Sequence, residues 1–586
     1  MTLLEEPSPP PEPLLLEPAV PATSTVSPRA MEFAERGAWT LVWLGVVTGG
    51  FDVWGYWNAS AADAVLAPLL VLIGVVGMSV TWLSTSVRSR LFQAAALLGV
   101  LASVAIPRGI GIHVRQYYTT DSAAFNHVAA QALQHGSDPY TTSMSAASLL
   151  LNPPALYWTY TVNGSHVSHV SYPAGSFLID LPALALGFQH LIVDWTDLIA
   201  WLVTGVLLFA LLPSWLRWLG GLVMLTPVFA FSFSSGGTDA AFLPFLVLAV
   251  WRWDRFGLGR AAGMASWIGP VALGLACSIK QTPWFCVPFL ALGVAFEARR
   301  AGRRAVPVLL RYVLIVVSVF AAVNLPFIVW QPGAWAHGTL IPFVDPLVAD
   351  GQGLVSLATH GITGGVNLSV LTWAAGLAYV AVFAAFVVWY RELKRIWLLL
   401  LPVAFFFSDR SLANYLVDLF PVAVVAMATV TTVAKTAPSE SLTGIRRHRV
   451  VRLLPVALPA AGVVVASVLA FAAPPLQLSV RHVYRSQSGG FIGSVVVSVR
   501  NRTDGTVTPH FLVDTGEDHP SGFWSSVTGR PVVLAPHSSL TLTLRPPVAI
   551  DQPVFGSLWL VEAYTTNPNS LSSSSLQTWK GWTLTP

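Results

Sequence analysis

One carboxylate stands where a helical pattern begins. In RQYYTTDSAAFNHVAAQALQHGSDPYTT, residues 115–142, Asp121 is followed by Phe125, Val128, Ala129, Ala132 and Leu133 at the i, i+3, i+4, i+7, i+8 spacing of one helical face. Gly136 is placed to end that helix, and SDPY at 137–140 turns the chain. Two roles fit an aspartate at such a helix start. It can accept hydrogen bonds from the amides of the first turn, the commoner use, or it can take a proton from a substrate as a general base. Around it the sequence supplies one cation, Arg115, and aromatic rings from Tyr117, Tyr118 and Tyr140. His127 lies less than two turns further on, and the loop closes with His169, Tyr172 and Pro173 in SHVSYPAGSFLIDLPAL. Together these residues can make a polar, aromatic pocket.

The elements that must position them are membrane helices. Of 586 residues 54% are hydrophobic and only 10% charged, with mean hydropathy +0.64, which is the composition of a polytopic membrane protein. The net charge of +4 does not imply a nucleic-acid partner, because the basic residues sit in short clusters between apolar runs. Cys277 and Cys286 both fall in apolar segments and argue for neither a disulfide framework nor a zinc site. The first 36 residues, with EEPSPPPEPLLLEPAVPATSTVSP, are proline-rich and acidic at their start, the character of a disordered cytoplasmic tail rather than a secretory signal.

Apolar runs lie at 38–56, 64–84, 91–107, 173–192, 195–213, 219–235, 239–252, 262–279, 283–296, 306–330, 367–390, 396–408, 412–434 and 453–473. Several are shorter than the ~20 residues a span needs. The basic clusters at 88–90, 252–260, 299–304, 391–395 and 446–452 belong in the cytoplasm. Threading the chain through them puts the amino terminus inside. The loop 108–172, the loop 331–366 and everything after about residue 474 then fall outside. Parity requires 173–192 and 195–213 to give one net crossing. The expectation is an all-α polytopic protein with about thirteen transmembrane helices and one re-entrant or surface segment, in a membrane domain over 37–474.

Beyond residue 475 the character changes. Short alternating β-branched runs, GSVVVSVRN, RPVVLAP and SLTLTLRP, are separated by Gly, Pro, Asn and Asp turns, which predicts an extracytoplasmic β-sandwich domain over 475–586. Its tryptophans Trp524, Trp559 and Trp579 are either core residues or rings on which sugars stack. As a module tethered to the last span it is expected to be dispensable for chemistry on a small substrate. No internal repeat is visible, which weakens the case for an inverted-repeat transporter. The outer loop 108–172 is long for a polytopic protein, and long ordered loops are usually functional. Its helix is expected to lie amphipathically along the outer membrane surface.

An aspartate near a helix start in a first large outside loop, then GSDPY, then Tyr172-Pro173 leading into an apolar helix, resembles the GT-C superfamily of integral-membrane glycosyltransferases. The similarity is closest to glycosyltransferase family 87, the polyprenol-phosphate-mannose-dependent mannosyltransferases and their relatives. SIKQTPWFCVPFL at 278–290 and RSLANYLVDLFPVAV at 410–424 also resemble later helices of that family. The likeness runs over about 91–434 and does not reach the two leading spans or the β domain.

The resemblance implies an enzyme that takes a sugar from a polyprenyl-monophosphate-sugar donor and passes it to a glycan or glycolipid acceptor, on the outer face of a prokaryotic cytoplasmic membrane. An alcohol is a poor nucleophile at neutral pH, so the reaction needs a base, and by resemblance that is Asp121. An inverting displacement needs no covalent sugar–enzyme intermediate. Fixed positive charge is needed near the departing phosphate, for which Lys280, Arg410 and Arg115 are candidates. Lys280 falls on an outer turn, where lysine is unexpected, and its other reading is snorkelling to headgroups. Arg410 follows Asp409, and a local ion pair explains it cheaply; Arg115 also reads as an interface marker. Asp239, in SSGGTDA, either caps an outer helix or orients the acceptor or a divalent cation. His127, His169 and the tyrosines are candidates for contacts to sugar hydroxyls. No dense metal-ligand spacing and no phosphate-cradling glycine loop is present in the sequence.

Two other classes compete. Asp180 lies within an apolar run, where a charge costs about 2.5–3.5 kcal/mol on insertion scales. An intramembrane carboxylate is the best argument for a transporter or flippase of a lipid-linked saccharide. A non-enzymatic envelope scaffold would leave Asp121 and Lys280 without a role.

Overall fold

The computed structural model describes residues 27–55, 61–152, 157–226, 240–258, 265–430, 449–472, 474–486, 492–514, 522–547 and 558–577. Among the described residues six helices are long and apolar enough to cross a membrane: Ala64–Leu83, Arg90–Val114, Ile192–Leu211, Ala305–Trp330, Leu368–Val388 and Leu453–Phe471. Shorter apolar helices lie at Gly175–Ala185, Ser266–Ile279, Trp397–Phe406 and Ala413–Thr429. The outward faces are greasy. Val306, Leu310, Leu314 and Val317 on one helix, and Leu458, Val465, Val468 and Leu469 on another, are all exposed, as a lipid-facing stripe requires.

Small residues let the first helices close on each other. A Cβ at Gly74 would sit 2.8 Å from the Trp43 carbonyl oxygen, and one at Gly77 would run into the Trp43 ring, so Pro28–Gly55 and Ala61–Leu83 pack at backbone distance. The basic clusters gather by ion pairing. Arg88 meets Glu35 at 2.6 Å. Lys394 lies 3.2 Å from Glu297, which also meets Arg300, and 3.9 Å from Asp254, so three basic segments of the chain share one buried network.

The apolar run 173–192 is broken. Gly175–Leu178 and Leu181–Ala185 flank Asp180, and a full helix starts only at Ile192. Proline at 182 and the hydrogen bond from the Thr196 hydroxyl to Asp180 at 2.5 Å stabilise the break. The helix Asp121–Gln134 forms where its periodicity predicts, but it does not lie open on a membrane surface. Asp121 and Ala123–Ala130 are all buried, because the helix is enclosed by Met144–Leu150, the broken segment and Ile192–Leu211.

Strands begin in the loop regions. β1 (Asp350–Gly351) pairs in parallel with β3 (Arg410–Ser411), and β2 is Gly365–Asn367. The carboxyl-terminal region supplies β4 (Leu476–Arg485), β5 (Ile492–Asn501), β6 (His510–Asp514), β7 (Phe523–Ser526), β8 (Ser539–Arg545), β9 (Leu560–Thr566) and β10 (Asn569–Ser573). Together with β2 these strands join in one hydrogen-bonded order, β2-β10-β9-β6-β7-β8-β5-β4. The sheet curves over a core containing Trp524 and Trp559, both about as buried as a side chain can be. They are packing residues. Trp579 lies outside the described residues.

β2 corrects the expectation of a freely tethered module. Asn367, Val366 and Gly365 pair with Ser570, Leu571 and Ser572, so the membrane domain contributes an edge strand to the carboxyl-terminal sheet. One apolar cluster contains Tyr160, Val162, Val348, Val366 and Leu371 together with Leu512, Tyr564 and Leu571. The two regions share a core.

Candidate functional site

Thr120, not Asp121, caps the helix. Thr120 has extended backbone and its hydroxyl accepts from the Ala123 amide at 3.4 Å, leaving Asp121 as the first helical residue. The Asp121 carboxylate points elsewhere: Oδ2 accepts from the Thr159 backbone N–H at 2.6 Å. Thr159 opens a tight hairpin closed by Thr161 N–H to Ser165 O at 2.9 Å and Val167 N–H to Thr159 O at 2.9 Å. Gly164, with φ +86°, turns it.

The hairpin is stitched to the next segment. Val162 donates to Pro346 O at 2.8 Å and Val348 donates to Tyr160 O at 2.9 Å. On its other side the same segment pairs Asp350 with Arg410 and Gly351 with Ser411. Gly351 has φ +112°, and a Cβ there would strike the Ser411 carbonyl, so the close parallel pairing depends on glycine. Arg410 Nη1 donates to Val348 O at 3.1 Å and Nη2 lies 3.8 Å from Asp350 Oδ2. The ion-pair partner of Arg410 is therefore Asp350 rather than its sequence neighbour. Asp409 instead accepts from the Ser408 hydroxyl and the Arg410 amide, both at 3.1 Å. Backbone pairing thus brings residues 121, 159–162, 346–351 and 409–411 into one frame.

Burial raises the Asp121 pKa above the usual carboxylate range, opposed by the Thr159 hydrogen bonds and by the positive charge of Arg410. Burial likewise pushes the Tyr172 hydroxyl up from its ordinary pKa, and this residue lies in the electrostatic field of Tyr415, Asp121 and Arg410. Its position is fixed by Tyr140, which donates to Tyr172 O at 2.8 Å, and by Gln281, which donates to Ser171 O and Thr339 O, both at 2.8 Å. Lys280 Nζ lies 5.7 Å from the Tyr172 ring and 5.6 Å from the Tyr415 ring, with Asp418 and Asp197 in electrostatic range. One aromatic pair, Tyr172 and Tyr415, therefore stands beside both Lys280 and Arg410.

Of the candidate residues, Asp121, Arg410, Tyr172 and Lys280 converge, with Tyr140 behind them as a support. Others have different work. Arg115 is bound to Asp194 at 2.6 Å. Tyr118 is fully buried, its hydroxyl 2.8 Å from His127 Nδ1, and His127 Nε2 lies 3.0 Å from Gln131 Nε2. Burial lowers the His127 pKa to about 4, so this histidine is neutral inside the fold. Tyr117 is part-exposed at the loop surface. His169 is exposed, beside Ser168 and the ring of His337. Asp239 lies outside the described residues.

Five members of the site escape sequence reasoning: Thr159, His166, Asp350, Tyr415 and Asp418. His166 stacks on Trp158 with ring centroids 4.7 Å apart and lies within the electrostatic reach of Asp121. Tyr415 and Asp418 sit in the RSLANYLVD stretch already singled out, so that motif carried more signal than its arginine alone. Thr159 contributes its backbone amide and its side chain to Asp121, and a lone threonine in a loop does not stand out in the sequence. Among the described residues no group of three or more His, Cys, Asp or Glu side chains is arranged to hold a metal ion. In comparisons with family models, curated proteins and solved structures, nothing matches this chain.

The arrangement offers a buried carboxylate able to accept a proton, two cations able to hold an anion, and two aromatic rings between them. That is the inventory of a group transfer from an anionic leaving group to a hydroxyl.

Proposed function

We propose that the protein is a GT-C-like membrane glycosyltransferase, inverting, with a polyprenyl-monophosphate-sugar donor and a cell-envelope glycan or glycolipid acceptor. The observation that carries the reading is the convergence of buried Asp121 with Arg410, Lys280, Tyr172 and Tyr415 from four distant parts of the chain. In this reading Asp121 takes the proton of the acceptor hydroxyl while that oxygen attacks the anomeric carbon. The bond from that carbon to the phosphate oxygen breaks, and the anionic polyprenyl phosphate is stabilised by Arg410 and Lys280. Mannose and arabinose both suit the donor.

The same reading places the protein in a prokaryotic cytoplasmic membrane. The tail 1–36 lies inside, a membrane domain spans 37–474 with about thirteen crossings and one re-entrant segment, and the β-rich region 475–586 folds outside in a sandwich-like form. The broken segment around Asp180 supports the re-entrant assignment.

The test is transfer by the full chain in lipid nanodiscs, supplied with radiolabelled polyprenyl-phosphate-mannose or polyprenyl-phosphate-arabinose and oligosaccharide acceptors. Label is expected in the acceptor with the wild type and not with Asp121→Asn. Equal transfer by the two proteins would remove Asp121 from the chemistry.

A second reading, a transporter or flippase of a lipid-linked saccharide, is favoured by one observation. Asp180, Asp194 and Asp197 are buried together in the helical core within electrostatic range of one another, each with one carboxylate oxygen lacking a hydrogen bond. Flux of a fluorescent lipid-linked saccharide across proteoliposomes, lost in Asp180→Asn and retained in Asp121→Asn, would establish it in place of the first.

A further inference from the structure

The segment 346–351 lies between the Asp121 hairpin and the Arg410 strand, and a third element abuts it. Tyr564, on β9, is fully buried; its hydroxyl is 2.9 Å from Glu562 Oε2 and 3.4 Å from the carbonyl oxygen of Ala349, the residue before Asp350. Phe523, on β7, packs edge-on against Tyr160 with ring centroids 5.1 Å apart. A Cβ at Gly164 would strike the His510 ring of β6. The carboxyl-terminal sheet therefore touches both strips of backbone that hold the two charges.

We propose that this sheet is a fixed part of the site, and that Tyr564 is a positioning residue that sets Arg410 relative to Asp121 through Ala349 and Asp350. A free arginine side chain samples many rotamers. Here the guanidinium is oriented by Val348 O and Asp350, and both groups ride on the segment that Tyr564 supports. A shift of that segment moves the cation without touching it. Displacements of about 1 Å at a reacting centre cost on the order of 100-fold in rate. The glutamate beside Tyr564 belongs to the same support. Glu562 is buried among Tyr564, Asp514 and Asp350, which makes the local geometry sensitive to the loss of one hydroxyl.

The activity part of this inference rests on the proposed transfer reaction, and the geometric part does not. The decisive experiment measures both on the full chain in nanodiscs. Spin labels are placed on cysteines at Gln134 and Gln352, both exposed, while Cys277 and Cys286 are buried. Pulsed dipolar spectroscopy should give one narrow distance for the parent protein and a broadened or two-component distribution for Tyr564→Phe. Asp350→Asn, which alters the site end of the support and leaves the sheet intact, should broaden it equally. Val497→Ala opens a cavity in the same sheet away from the contact, so it should lower Tm and leave the distance unchanged. Transfer by Tyr564→Phe should fall about 10- to 100-fold in kcat. An unchanged distribution in Tyr564→Phe or in Asp350→Asn overturns the proposal, as does a Tyr564→Phe effect confined to Tm. If no sugar is transferred by the parent protein, the reaction is wrong and the distances still decide the support.

Discussion

Thr159 donates its backbone N–H to Asp121 Oδ2 at 2.6 Å, joining a helix start to a hairpin 38 residues further along the chain. The carboxylate thereby reaches beyond its own helix while still meeting the Ser122 amide, and the Ala123 amide is served by the Thr120 hydroxyl. The capping position, which competes with chemistry for one aspartate when only sequence is considered, belongs to the adjacent residue Thr120.

Asp121→Asn should keep the fold and lose transfer. The asparagine oxygen still accepts from Thr159, but the amide takes no proton, and loss of a general base costs about 10²- to 10⁴-fold. Thr120→Ala should do the reverse, lowering stability by roughly 1 kcal/mol with the base in place. Thermal melts and initial rates on the two variants are sufficient. An Asp121→Asn protein that melts early at full specific activity would reverse the assignment.

The pH profile should carry the signature of Asp121. Burial holds its pKa above the ordinary value of 3.8 and Arg410 pulls it back down, so activity falls as the pH drops through the raised value. Arg410→Gln removes the opposing charge and should move that acid limb to higher pH. The linkage to stability has the opposite sense: ionising a carboxyl whose folded pKa is raised disfavours the fold as pH rises above 3.8. Asp121→Asn should therefore melt at a slightly higher temperature than the wild type at pH 7. A limb that stays in place in Arg410→Gln would mean that the two charges do not interact.

Arg410→Ala should weaken donor use at least as much as Lys280→Ala, reversing the order that sequence alone suggests. Lys280 is buried between two tyrosine rings with Asp418 and Asp197 nearby, so much of its field is already met, while Arg410, 3.8 Å from Asp350, also acts electrostatically on Asp121. Titrating the donor against both variants checks the order, and a much larger KM for Lys280→Ala would restore the first ranking.

His127 predicts an acid instability that has nothing to do with catalysis. Its pKa drops from 6.5 in the unfolded chain to about 4 in the fold, through burial beside Tyr118. The unfolded chain then binds a proton first, so its contribution to stability is full above about 6.5 and is lost as pH falls toward about 4. His127→Gln should flatten the fall of Tm between pH 7 and pH 5. A parallel fall in both proteins would place the titrating group elsewhere.

Much of this site was legible in the sequence, and what was not has a common cause. The helix over Asp121–Gln134 follows from apolar spacing; Asp121 stood out as the carboxylate at its start, Lys280 as a cation between apolar runs, and Tyr172 and Arg410 through the stretches that carry the family resemblance. Thr159 was invisible because its backbone amide is the same in every residue but proline and a single loop threonine carries no pattern. Asp350 was invisible as the partner of Arg410 because strand pairing between segments sixty residues apart leaves no local pattern, whereas Asp409 was adjacent and therefore tempting. β2 is three residues long, too short for any alternation to register. Parity alone pointed to an irregular element over 173–213, and its position at Asp180 was hidden because a run of apolar residues looks the same in one helix or two.

The position of β10 has a consequence for how the protein is made. Asn367 waits for Ser570 across about 200 residues of chain, and pairings so distant in sequence form late and slowly. While the ribosome is still delivering the carboxyl-terminal strands, the strip of backbone that carries Asp350 has no floor, and the charges above it are not yet set against one another. A chain interrupted by proteolysis or stalled translation before β9 would carry its membrane helices and every charged residue of the site in the unassembled condition. The contacts beneath Asp350 are therefore complete only once the last described strands have emerged and paired.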